Sequence, residues 1–196
     1  MRRLLLTLAT AAVLAACSAE EPDGAELPST AIPSAIAARL DALDAAVFSW
    51  REAATVAGAH AAAEDARNLV VGPAGALYGD GDGSGSLGVE PATGLLPGLD
   101  GSPGLAGPPA LNACVDADVL GGSWEDPQER WDIMLEAIDA WAPGGNTFPS
   151  LPSHPQRVVG WATLTLEADD LDLAHEYAGH AQLHVDVTRA AYESCG

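Results

Sequence analysis

Ile36, Leu40, Leu43, Val47 and Trp50 stand four, three, four and three residues apart, and this spacing constrains the fold more than any other feature of the chain. At 3.6 residues per turn it lines five large apolar side chains along one side of a helix, a stripe that is stable only when another apolar surface covers it. Past a weak point at Gly58 the pattern continues through Ala59, Ala63, Ala66 and Val70, until Gly72-Pro73 stops it. It returns in Trp131, Met134, Leu135, Ile138 and Trp141. Asp126-Pro127-Gln128-Glu129 opens that helix with a cap residue, proline at the first helical position and glutamate three after the cap. Ser153-His154-Pro155 opens a further helix through Val158, Trp161 and Leu166, and after Asp169-Asp170 a last one runs from about Leu171 to Tyr192.

The segments from Ala59, "AHAAAEDARNLVV", and from Ala174, "AHEYAGHAQLHVD", share Ala-His and alanines four and seven residues after the first. Each follows a helix carrying a tryptophan, Trp50 and Trp161. The prediction is an all-α fold: a helical bundle of about two helical hairpins, with a long loop insert over residues 72–122. That insert is crowded with glycine and proline and shows no helical period. A connection of such length inside a compact domain is functional, disordered or held by something.

Within it, Asp80-Gly81-Asp82-Gly83-Ser84-Gly85-Ser86-Leu87 resembles the first eight positions of an EF-hand or dockerin-type calcium loop. Oxygens fall at positions 1, 3 and 5, glycine at 6, a backbone carbonyl at 7 and an apolar residue at 8. Position 12, where a bidentate carboxylate belongs, is Pro91, with Glu90 one residue early. The resemblance therefore implies a partial calcium site on Asp80, Asp82, Ser84, Ser86 and Glu90, with Asp100 a further acid within reach. Without a bidentate ligand in place, binding in the range of about 10⁻⁴–10⁻³ M is expected.

The N-terminus, "MRRLLLTLATAAVLAAC", has two arginines, a short apolar run and then Leu14-Ala15-Ala16-Cys17. The apolar run is too short for a permanent membrane span and fits a secretory leader. Its end resembles the lipobox of bacterial lipoproteins. That resemblance implies a signal peptide over residues 1–16, lipidation of Cys17, a tether over 17–32 and a single helical domain over 33–196. Two or three acyl chains would anchor such a protein in the cell envelope facing periplasm or exterior. In that oxidising compartment Cys114 and Cys195 form an even pair, expected as a disulfide. Ala63, Glu64, Asn68, Gly72, Tyr78, Gly79, Asp80, Asp82 and Gly83 further resemble a pattern in a group of uncharacterised exported bacterial proteins, which speaks to architecture alone.

Three of the five histidines lie between Leu171 and His184. His175 and His180 are five residues apart and diverge by roughly 140° around a helix, so the stretch is not the HExxH of zinc proteases. His180 and His184 share a face, and His60 with Glu64 could supply partners from a second helix, the way bundles build metal sites. His60, Glu64, His180 and His184 are thus the candidate transition-metal or haem ligands. The alternative is that these rings are packed and hydrogen-bonded inside the bundle.

All eight basic residues are arginines, against 28 acids, for a formal charge of −20. Such a surface repels nucleic acid and attracts cations. The chain has no GxSxG elbow, and the glycine run holds aspartates where phosphate would sit. The expectation is a non-catalytic, lipid-anchored domain with a structural calcium loop and a role in partner binding or the envelope. The alternative is a histidine-based metal or haem protein.

Overall fold

The computed structural model describes residues 31–141 and 151–194. The leader, Cys17 and Cys195 lie outside the described residues, so the lipidation and disulfide expectations fall there in whole or in part. Among the described residues there are five α-helices, α1 (Ser34–Arg51), α2 (Val56–Val71), α3 (Pro127–Asp139), α4 (His154–Leu166) and α5 (Leu171–Glu193), with a π-helical turn at Val115–Leu120.

The apolar spacing of α1 does what it predicts, because Ile36, Leu40, Leu43, Val47 and Trp50 are all buried. The break after α1 comes earlier than Gly58. Thr55 caps α2 by accepting a hydrogen bond from the Gly58 amide, which places Gly58 inside the first turn. Asp126 caps α3 through the Glu129 amide. Ser153 and Gln156 close a reciprocal capping box on α4, and Asp170 caps α5 through the Leu173 amide. Each cap satisfies N–H groups that have no partner within their helix.

Helices α1, α2, α4 and α5 form the four-helix core, with α1 on α2, α2 on α4, α4 on α5 and α5 on α1. One diagonal, α2 with α5, also closes. The alanines of the sequence echo explain it: Ala59, Ala63, Ala66, Ala174, Ala178 and Ala181 are all fully buried, and side chains this small let two helices approach. α3 packs on the outside of α4.

The two hairpins, α1–α2 and α4–α5, are related by a shift of 115 residues that carries Thr55, Gly58 and His60 onto Asp170, Leu173 and His175. The same shift carries Ala53 onto Ala168. The two histidines bond reciprocally. His60 Nε2 meets the Ala168 carbonyl between α4 and α5, and His175 Nε2 meets the Ala53 carbonyl between α1 and α2, each at 2.9 Å. Each hairpin's second helix thus fastens the other hairpin's bend.

The insert is held by the protein itself. The amides of Leu95 and Leu96 donate to the Val70 carbonyl at 2.8 and 3.1 Å, Leu99 to Ala74 at 2.8 Å, and Leu105 to Gly94 at 2.9 Å. Arg39 Nη1 donates to both Leu69 and Thr93 carbonyls, and Trp131 Nε1 to that of Pro97. Leu95, Leu96 and Ala106 enter the core. Residues 72–122 carry no helical period in sequence, yet Val115–Leu120 form a π-helical turn, a correction to the expected loop. It ends at Gly121, whose φ of 68° suits glycine.

Candidate metal centre

Glu64 is 2 % exposed and Asn68 is fully buried, although both lie on a helix at the edge of the domain's first hairpin. What buries them is the acidic loop. Asn68 grips Gly79 at two points, Nδ2 donating to the Gly79 carbonyl at 3.1 Å and Oδ1 accepting from its amide at 3.2 Å. Arg67 Nη2 adds a bond to the same carbonyl at 3.3 Å. One turn earlier, Glu64 Oε2 accepts from the amides of Gly81 at 2.5 Å and Asp82 at 3.0 Å. The loop runs so close to α2 that a side chain at Gly81 would collide with the Arg67 guanidinium.

The loop then folds on its own carboxylates. Asp80 accepts from the amides of Ser84 and Gly85 at 3.0 and 2.8 Å, and Asp82 from that of Ser84 at 2.8 Å. The Ser84 hydroxyl donates to the Ser86 carbonyl at 3.2 Å. Gly83 and Gly85 take φ values of 71° and 84°, the left-handed conformation that lets the backbone turn around its own side chains.

One oxygen from each of Glu64, Asp80 and Asp82 lies within 4.8 Å of the other two, an arrangement in which one cation can touch all three. The electrostatics favour a cation there. Burial works against ionising Asp82, but the hydroxyl and amide of Ser84, Asp80 and the nearby His60 ring outweigh it and hold its pKa below the ordinary value. Asp65 goes the other way: burial first, then the charges of Glu64 and Asp82, raise it against a bond from the Val89 backbone. Its Oδ1 is buried without a hydrogen-bond partner. Burial lowers the Arg67 pKa, with Glu64 opposing, so one desolvated guanidinium faces a cluster of acids.

Of the residues expected around calcium, Asp80 and Asp82 converge. Ser84 and Ser86 lie on the exposed outer turn of the same loop, and Glu90 is exposed and outside the cluster. The missing carboxylate comes from Glu64, on the helix before the loop. The signal was present in the sequence. Glu64, Asn68, Gly79, Asp80 and Asp82 all stand in the sequence pattern singled out above, and they are residues that touch.

His60, Glu64, His180 and His184 do not come together among the described residues. His60 fastens the Ala168 carbonyl and Glu64 holds the loop. His180 stacks on Trp161, centroids 4.5 Å apart and planes 15° from parallel, with Glu176 Oε1 at 4.0 Å from its Nε2. His184 instead meets His154, the residue that opens α4; their Nδ1 atoms are 2.9 Å apart. Comparison with protein-family models, curated proteins and solved structures finds no match to this chain.

Proposed function

We propose that this is a lipid-anchored cell-envelope protein whose non-catalytic helical domain carries a structural calcium site on Glu64, Asp80 and Asp82. The observation that carries the calcium reading is the convergence of three carboxylates, one of them buried, on a loop of calcium-binding pattern. All the donors are oxygens, the preference of a hard cation, and the Ser86 carbonyl stands at the seventh position of the loop. The rigid grip of Asn68 on Gly79 presents those oxygens without a large ordering cost.

The lipid anchor is supported by the lipobox pattern before Cys17, and no described helix is long and apolar enough to cross a membrane. A Cys114–Cys195 disulfide is supported by the neighbouring contact of Asn112 Nδ2 with the Ala191 carbonyl, at 3.4 Å, near the end of α5. The strongly acidic composition argues against a nucleic-acid partner.

Calcium titration with thermal melting tests the reading. At a Kd of about 10⁻³ M, 10 mM calcium stabilises the native state by about 1.4 kcal/mol, and Asp80→Ala abolishes the shift. A melting temperature unmoved by calcium in the unsubstituted protein sinks the calcium site. Labelling with a radioactive fatty acid, lost in Cys17→Ser, tests the anchor separately.

A further inference from the structure

The shift of 115 residues that superposes the hairpins in sequence carries Arg39 onto His154 and Leu69 onto His184. In the first hairpin this place is a structural tie, Arg39 Nη1 donating to the Leu69 carbonyl at 2.6 Å and the Thr93 carbonyl at 2.7 Å. In the second hairpin it is a pair of imidazoles. Their Nδ1 atoms share a hydrogen bond at 2.9 Å, whose proton must move to the other nitrogen of its ring before both can face an ion, with ring centroids 5.0 Å apart and planes tilted by 59°. His184 is buried and His154 half-buried, so the pair is reached from the His154 side.

Two nitrogens at that separation, each about 2.0–2.1 Å from a common ion, subtend about 90° at it. That is the cis angle of tetragonal coordination, and neutral imidazole suits copper and zinc where the hard acidic loop does not. Both rings favour the neutral form that a metal ligand needs. Burial, then the neighbouring His154, Arg157 and His180, push His184 down to about 3. Burial and Arg157 lower His154, against the pull of Asp118. Asp118 therefore puts a negative charge near His154, from a π-helical turn, a conformation that recurs at functional sites. Arg157 opposes a cation, but its Nε is committed to the Leu151 carbonyl at 2.8 Å.

We propose that His154 and His184 bind a divalent ion with a preference for imidazole, copper(II) or zinc, with Asp118 as the neighbouring anionic group. This site shares no ligand with the acidic loop, so the two stand or fall separately.

The test uses the full chain without a histidine tag. One equivalent of copper(II) should give an electron paramagnetic resonance spectrum with nitrogen couplings from two imidazoles, and zinc should titrate to one site per chain. His154→Ala should weaken both ions at least about ten-fold, as loss of a ligand does, while Asp80→Ala leaves them unchanged. Asp118→Asn should weaken them by less. His184 is buried, so His184→Gln counts only if its circular dichroism and melting show a folded protein. Equal affinity in His154→Ala and the unsubstituted protein overturns the proposal, and so does a copper spectrum without nitrogen coupling.

Discussion

The two hairpins share side-chain caps on their second helices, buried alanines and the reciprocal histidines, yet the outer faces of those second helices differ. The shift that maps His60 onto His175 maps Glu64 onto Gly179 and Asn68 onto Leu183. On α2 the first pair of that face is buried under the acidic loop, Glu64 being 2 % exposed. On α5 the counterpart Leu183 is 55 % exposed, and a side chain added at Gly179 would meet nothing within 4 Å. The same helical frame therefore supports an acidic loop on one side and an open face on the other. The frame is set by the buried alanines and the half-buried histidines His60 and His175. What is built on it is set by a few polar residues on the outside.

The comparison predicts its largest effect at Glu64. Glu64→Ala removes the acceptor of two loop amides in a part-buried contact, where an unsatisfied group costs up to about 1–3 kcal/mol. A loss of about 2–4 kcal/mol in calcium-free chemical denaturation is expected, along with loss of cation binding. A change under about 0.5 kcal/mol would mean that the loop is not fastened to α2, and the contrast between the hairpins would fail.

The second hairpin should show itself in the pH dependence of stability. The His184 pKa of the folded protein is about 3, below the ordinary 6.5. The folded state therefore resists a proton that the unfolded chain accepts. His184 thus contributes no penalty above about pH 6.5, and stability falls progressively as the pH drops from there toward 3. In the presence of chelator, His184→Gln should flatten that acid limb of the melting curve. Glu64→Ala, in the other hairpin, should leave the histidine contribution to it in place.

The reciprocal bonds of His60 and His175 are each worth about 1 kcal/mol by the ordinary scale of a hydrogen bond. His60→Ala and His175→Ala should therefore lower stability by similar amounts, and the double variant by their sum. Strong inequality would show that the two bends are not equivalent. This pair also marks how far the sequence could be read. The stripes of α1, α3 and α4 and the break at Asp169-Asp170 follow from apolar spacing and capping chemistry, which are local. The sequence echo predicted two similar hairpins for the same reason. Local rules could not bring Glu64 to Asp80 and Asp82, because that contact depends on how residues 72–79 turn back along α2. They missed the π-helical turn, whose period matches no common template, and they paired His184 with its neighbour His180 instead of His154, 30 residues away. Helical spacing places residues on a face. It does not say which other element covers that face.

The smallest prediction bears most directly on the open face of α5. Gly179 sits within a long helix, exposed, with free space where a side chain would stand. Alanine at this position narrows the freedom of the unfolded chain and favours the helix, by about 0.5–1 kcal/mol. Gly179→Ala should therefore stabilise the protein, the opposite sign to the change at its counterpart Glu64, and thermal melting reads both. Destabilisation would mean that this surface is covered in the working protein and that the glycine is there to let something approach. The asymmetry between the hairpins would then be one of occupant, a chain segment or partner on α5 in place of the acidic loop on α2.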